Sequence, residues 1–307
     1  MKRQKFELLI LGSSSASPTS ERNPSAQLFN IAERYFLIDC GESTQIQLRK
    51  NKAKLQAIDH IFISHLHGDH FFGLPGLLSS MHLLGRKNKI NIYAPEKLKS
   101  ILNLIFEASD TYLNFEILWH FTNDDTLNLL FEDEKVLVYS FPLKHRIFCT
   151  GFLFKEKQLP RNIDKYKLDK YNISIAEINK LKNGHDVVNE KGEIIKNHLV
   201  TLNPLPPRSY AYCSDTIYTE SIINYIKNVN LLYHESTFLE DKQERAKKTF
   251  HSTAKNAAQI AKLANVGKLL LGHFSARYGN LNLFIEEANS IFNNCELATE
   301  GKVFSLS

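Results

Sequence analysis

The apolar run His60-Ile61-Phe62-Ile63 passes directly into Ser64-His65-Leu66-His67-Gly68-Asp69-His70, which puts three histidines and an aspartate into six consecutive positions. The run has strand character, and a strand that is buried up to Ser64 lets the loop beyond it turn His65, His67, Asp69 and His70 towards one point. The small Gly68 is expected to let that loop turn tightly. Imidazole nitrogens and carboxylate oxygens suit zinc, manganese or iron, and a loop at a strand end leaves coordination positions for water and substrate. Four such groups so close together argue for a metal site rather than a chance surface cluster. The chain must therefore build a sheet whose strand ends carry that site.

Other strand ends supply further donors. "FELLILGS", "AQLFNIA", "RYFLIDCG", "INIYAP", "KVLVYSFPLKH", "YAYCSD", "LLYHES" and "KLLLGHFS" all read as strands, being short, apolar or alternating, and closed by turn or polar residues. His145, Asp215 and His273 each follow one of these runs, where a side chain reaches over a sheet edge. Apolar residues at three- and four-residue spacing predict helices over 43–50, 74–84, 96–109, 252–264 and 281–292, with Ser252 as an N-cap candidate. Strands that first cluster and then alternate with helices argue for an α/β protein, its sheets covered by helices. At 307 residues, 43% of them apolar, the chain has the material for a sizeable core.

His65, His67, Asp69, His70, His145, Asp215 and His273 make seven donors, more than one tetrahedral ion takes. Two ions with a bridging carboxylate would use them all, and Asp215 is the natural bridge. Two ions about 3.5–4 Å apart lower the pKa of a shared water and clamp a phosphoryl group during in-line attack. That chemistry suits hydrolysis of a phosphodiester.

Composition narrows the setting. Thirty-eight basic against 33 acidic residues give a net charge of +5, a mild preference for polyanionic partners. No apolar run of about 18 residues exists, which argues against a membrane span, and the N-terminal apolar block is interrupted by Glu7. Cys40, Cys149, Cys213 and Cys295 are widely spaced, so the expectation is a soluble protein of the reducing cytoplasm. Residues 155–200 differ in character, with ten Lys or Arg against seven Asp or Glu, many Asn and scattered apolar positions. By composition they read as a solvated insertion.

"SHLHGDH" resembles the HxHxDH signature of the metallo-β-lactamase superfamily. Within it the chain resembles the tRNase Z family over nearly its whole length, in "LGSSSASPT", "ERNPSAQ", "LIDCGESTQIQL", "SHLHGDHFFGLPGLL", "PLKHRIFCTGF", "YCSDT", "HESTF", "HSTAKNAAQIA" and "GHFSARY". The resemblance implies a four-layer αββα metallo-β-lactamase sandwich, a single domain over 1–307, with a projecting tRNA-binding arm inserted at 155–205. It implies two Zn2+ per subunit, His65, His67 and His145 on one and Asp69, His70 and His273 on the other, with Asp215 between; the same donors accept Mn2+ or Fe2+. Asp69 would also orient or deprotonate the attacking water, and His251 would protonate the leaving oxygen, with Glu235 assigned as the carboxylate that keeps His251 charged. The implied activity is removal of the 3′ trailer from precursor tRNA, leaving a 3′-hydroxyl and a 5′-phosphate, by a cytoplasmic homodimer with no membrane partner.

The chain also departs from the family pattern. Ser13, Ser14 and Ser15 replace glycines that many members carry, and are expected to do turn chemistry. Many members have a Gly-Pro pair before a "KNG"-like turn, where this chain reads "NISIAEINKLKNG". Arg277 and Tyr278 suit either RNA phosphate contact or fixing of the loop that carries His273. His234 reads as a packed histidine, and His60, His82, His120, His185 and His198 have no partners at ligand spacing. The alternatives are a related dinuclear phosphodiesterase of small or cyclic nucleotides, which has no need of a basic arm, and an RNA-binding protein without catalysis, which has no need of seven donors.

Overall fold

The structure, a computed structural model, describes residues 3–306. These form two compact units, one made of the chain before Glu156 and after Pro207, the other of Glu156–Pro207.

The larger unit holds two seven-stranded sheets. Across the first run Val303–Ser305, Phe6–Gly12, Ala26–Ile31, Arg34–Ile38, Ile58–Phe62, Ile90–Ala94 and Ile117–Phe121. Across the second run Cys295–Leu297, Lys268–Gly272, Leu231–Glu235, Ser209–Cys213, Thr150–Glu156, Val136–Pro142 and Asn128–Glu132. The period-two alternation of the first strand sorts its side chains: Phe6, Leu8 and Ile10 join the core between the sheets, while Leu9 and Leu11 face the helix-covered outside. Aromatic rings fill the middle layer, with Phe62 stacked on Tyr93 at 4.3 Å and Tyr212 on Tyr233 at 5.0 Å. Each such fully buried ring contributes roughly 1.5–3 kcal/mol. Leu74–Leu83 and Lys97–Ala108 cover one outer face, and Ala254–Leu263 and Asn282–Asn289 the other. The result is the expected αββα layering.

Parallel pairing places the site. Ser209–Cys213, Leu231–Glu235 and Lys268–Gly272 are mutually parallel, so their C-terminal ends share one edge of the second sheet. Arg34–Ile38 and Ile58–Phe62 are likewise parallel in the first. Crevices beyond the carboxyl ends of parallel strands are where such sheets hold ligands.

One local expectation changes. The helix Ala254–Leu263 is capped by Thr253, not Ser252: Thr253 Oγ1 accepts the Asn256 N–H and Asn256 Oδ1 accepts the Thr253 N–H, a reciprocal box. Ser252 instead donates its hydroxyl to the Thr216 carbonyl at 2.7 Å.

The smaller unit gathers the scattered apolar residues of its segment into a core of Ile173, Leu181, Val187, Ile195 and Val200. Short helices, Lys165–Lys170 and Ile178–Lys182, and two-residue strand pairs surround it. Asn197 ties the unit together, donating from Nδ2 to the carbonyls of Leu181 at 2.7 Å and His185 at 3.1 Å. A folded unit therefore stands where composition alone suggests a solvated loop.

Candidate metal centre

Asp39, Asp215 and His273 lie just beyond three strand ends and share an uncommon backbone. Their φ values are 54°, 60° and 59°, the left-handed region that Asp and His tolerate better than most residues. Each such residue costs about 1–3 kcal/mol and persists only because its surroundings hold it. The turn it makes swings the side chain back over the sheet edge, where all three are buried.

Three groups of donors among the described residues lie close enough to hold an ion; one is Asp215, His251 and His273, and the other two use all seven predicted ligands. In one, His67 Nδ1 lies 3.0 Å from His65 Nε2 and 3.2 Å from His145 Nε2, and Asp215 Oδ2 lies 3.4 and 3.6 Å from those two Nε2 atoms. In the other, Asp69 Oδ2 is 3.4 Å from His70 Nε2 and 3.3 Å from His273 Nε2, while Asp215 Oδ1 is 3.3 and 3.0 Å from the same nitrogens. Donors held at about 2.0–2.1 Å from a tetrahedral ion stand about 3.3–3.4 Å apart. Both groups fit a small divalent cation, and the two oxygens of Asp215 divide between them.

The outer contacts decide which nitrogen each histidine presents. Ser64 donates its hydroxyl to Asp39 Oδ2 at 2.9 Å, so it accepts from His65 Nδ1 at 3.0 Å. His70 Nδ1 donates to Asp39 Oδ2 at 2.7 Å, and His145 Nδ1 donates to the Phe250 carbonyl at 2.9 Å. Thr237 gives its hydroxyl to Glu235 Oε2 at 2.7 Å and accepts from His273 Nδ1 at 2.9 Å. With Nδ1 carrying the proton in all four, Nε2 turns its lone pair inward, as metal ligation requires. His70 Nε2, fully buried, makes no hydrogen bond to protein.

Electrostatics agree. Burial works against charge on His70, but Asp69, Asp215 and Asp39 outweigh it and hold the imidazole well above its usual pKa. His273 is pushed up to about 10 in the same way, against its burial, by Asp215 and Asp69. His65 goes the other way, down to about 4, through burial and the neighbouring charge of His70. The carboxylates thus draw positive charge to this point, and a divalent cation would compete with protons for it.

The cleft beside these donors, about 500 Å³, is also lined by His251, Arg146, Lys248 and Phe72. His251 Nδ1 donates to Glu235 Oε1 at 2.8 Å. Burial opposes charge on His251, yet Glu235 raises its pKa above the ordinary histidine value. All nine candidate residues, the seven donors with His251 and Glu235, are therefore brought together. Sequence reasoning missed Asp39, which also accepts the Ser64 N–H at 2.8 Å and the Tyr212 hydroxyl at 2.6 Å. Its signal was present: "LIDCG" is an acid closing an apolar strand, like Asp215. Also missed was the Ala16 N–H, which donates to Asp69 Oδ2 at 2.7 Å from the turn that Ser13–Ser15 begin.

Gly68 needs a different explanation from the expected tight turn. Its φ is not among the positive ones. A Cβ there would instead fall 2.2–2.6 Å from three ring carbons of Phe72. Arg277 and Tyr278 hold their loop: Arg277 lies over the Phe238 ring at 5.3 Å and bonds Ser275 Oγ at 3.0 Å, and the Tyr278 hydroxyl accepts the Leu239 N–H at 3.2 Å. His234 is buried, with Nδ1 donating to the Glu235 carbonyl at 2.7 Å.

A family model described as Anti-Pycsar protein Apyc1 matches residues 6–109, which include His65, His67, Asp69 and His70. Ribonuclease Z of Cytophaga hutchinsonii is 50% identical over 303 residues, 98% of this chain and 96% of that one. The crystal structure of the short form of human tRNase Z superposes with a TM-score of 0.72 at 29% identity, covering 98% of this chain and 100% of the other. A metallo-beta-lactamase fold protein from Bacillus subtilis, 18% identical with a TM-score of 0.70 over 99% of this chain and 100% of its own, shares the fold. Agreement with the first of these relatives runs from end to end at half of all positions, so the chain belongs to the ribonuclease Z family.

Proposed function

We propose that the protein is a metal-dependent endoribonuclease that removes the 3′ trailer from precursor tRNA. The observation that carries the reading is the pair of donor groups sharing Asp215, with the Glu235-held His251 lining the same cleft. His65, His67 and His145 would hold one divalent cation and Asp69, His70 and His273 the second, zinc being the metal these donors suit best and manganese or iron the alternatives. When bound, such ions supply Lewis acidity to water and to phosphoryl oxygens.

The remaining steps belong to the chain. Asp69, steadied by the Ala16 N–H, orients the attacking water and takes its proton. The water oxygen bonds to phosphorus, and the bond from phosphorus to the 3′ oxygen breaks. His251, kept protonated by Glu235, gives that oxygen its proton. The tRNA ends in a 3′-hydroxyl and the trailer keeps a 5′-phosphate. Arg146, within 3.3 Å of His67 Nε2, and Lys248 bring cations to the RNA backbone in the cleft.

Glu156–Pro207 serves in this reading as the arm that grips the tRNA, in a cytoplasmic homodimer. Lys165, Lys167 and Lys170 on one short helix supply phosphate contacts. No helix among the described residues is long and apolar enough to cross a membrane. The test is incubation of the metal-loaded protein with precursor tRNA, followed by mapping of both new ends. A 3′-hydroxyl tRNA and a 5′-phosphate trailer are expected, with Asp69→Ala abolishing both. An uncut precursor in the presence of zinc or manganese overturns the reading.

A further inference from the structure

Phe72 is 60% exposed, yet it follows directly on the helical turn Gly68–Phe71 that carries Asp69 and His70. A single exposed apolar side chain is ordinary and by itself asks for no explanation. Three observations set this one apart. It lines the cleft that holds His67, Asp69, His251 and Asp215. Its ring lies against Gly68, and any side chain at that position would occupy the same space. The ring of Phe71, itself 5% exposed, meets it edge-on at 4.9 Å and backs it from the core side of the helical turn.

An apolar ring open to solvent among metal donors and cations offers a phosphate nothing. Its natural ligand is another flat π-system. Arg146 and Lys248 in the same cleft suit a phosphodiester backbone, and a base attached to that backbone brings the matching face. We propose that Phe72 is a stacking platform for a nucleobase flanking the scissile phosphate, and that Gly68 is glycine so that the ring can lie there. The inference rests on the RNA reading of the site and adds a base contact to it. Every base has a π-face, so the contact demands that a base be present without choosing which.

The test is a cycle between protein and substrate. Metal-loaded wild type, Phe72→Leu and Phe72→Tyr are each assayed on an intact precursor tRNA and on precursors with an abasic nucleotide immediately 5′ or 3′ of the scissile phosphate. Removal of the base at one of these positions is expected to lower wild-type kcat/KM by about ten-fold, the scale of a lost base–aromatic stack. Phe72→Leu is expected to lose a similar factor on the intact precursor and nothing further on that abasic one, while Phe72→Tyr stays close to wild type. Metal content measured on each variant separates a lost stack from a disturbed ligand loop, and it should remain at the wild-type value. Independent, multiplying effects of the Leu change and the missing base overturn the stacking contact alone, as does a Phe72→Leu enzyme with wild-type kcat/KM on the intact precursor. A wild type that leaves every precursor uncut overturns the RNA reading and the contact with it.

Discussion

The metal centre and the smaller unit are opposite solutions to holding polar chemistry in place. At the centre the polar groups are inside: His65, His70, Asp39, Asp215, Glu235 and His273 are buried, and Ser64, Asp39 and Thr237 fix His65, His70, Glu235 and His273 by hydrogen bonds. In Glu156–Pro207 the charged groups are outside, around a core of five apolar side chains, and their ion pairs, such as Lys180 with Glu177 and Lys196 with Asp186, are exposed ones. Exposed pairs contribute roughly 0–1 kcal/mol. The first region needs exact geometry and obtains it from two sheets; the second needs charge at a surface and tolerates a modest fold. Changes in the first should therefore affect every phosphodiester, and changes in the second only a substrate that the unit itself grips.

The largest effect is expected at the atom pair shared by both donor groups. Asp215→Ala should release metal from both halves and lower cleavage of precursor tRNA and of a small phosphodiester alike. The loss should well exceed the roughly 10–100-fold that follows when only an outer partner of a metal ligand is changed. Metal analysis of the folded variant checks this, and two equivalents of tightly held metal in Asp215→Ala would remove the carboxylate from its bridging role. Next in size is His251→Ala, expected to lower kcat on precursor tRNA by about 10²–10⁴. A p-nitrophenyl phosphodiester, whose leaving group departs without a proton, should be cut almost as fast as before; an equal fall on both substrates would show that His251 does something other than protonate the leaving oxygen. Third is deletion of 156–207. The loss of its phosphate contacts should reduce kcat/KM for precursor tRNA by at least about a hundred-fold at physiological salt, with small-substrate hydrolysis spared. Equal losses would deny the unit its substrate-gripping role.

The same contrast explains what could be read from the sequence. His145, Asp215 and His273 were legible because each closes an apolar run, and a polar group that ends a buried strand has few reasons to be there. Asp39 obeys the same pattern, but alone it reads as a turn residue; only its bond to His70 shows its use. The Ala16 N–H has no side-chain signature at all. Gly68 was legible as special, but its φ is not positive, and what a side chain there would meet, the Phe72 ring four residues on, has no local signature in the sequence. Ile117–Phe121 and Asn128–Glu132 were missed as strands because they are the outermost members of their sheets, partly exposed along most of their length, and so show no clean alternation. In the smaller unit the five core residues are too few and too unevenly spaced to give any period.

The smallest effect on activity, and the closest test of the contrast, concerns that core. Leu181 is fully buried in it, and Asn197 bonds its carbonyl. Truncating such a leucine to alanine destabilises by about 2–5 kcal/mol. A single core in a fold of this size rarely supplies more than about 3–5 kcal/mol. Leu181→Ala should therefore leave Glu156–Pro207 largely unfolded while the sheets of the larger unit, with aromatic layers of their own, stay intact. Amide exchange resolves the two: protection should be lost at Leu181 and Val200 and kept along Leu231–Glu235 and Lys268–Gly272. Metal content should not change, small-phosphodiester hydrolysis should not change, and precursor cleavage should fall towards, but not below, the level of the deletion. If protection along Lys268–Gly272 falls together with that at Val200, the two units unfold as one cooperative body, and the separation of the metal centre from a locally stabilised smaller unit fails.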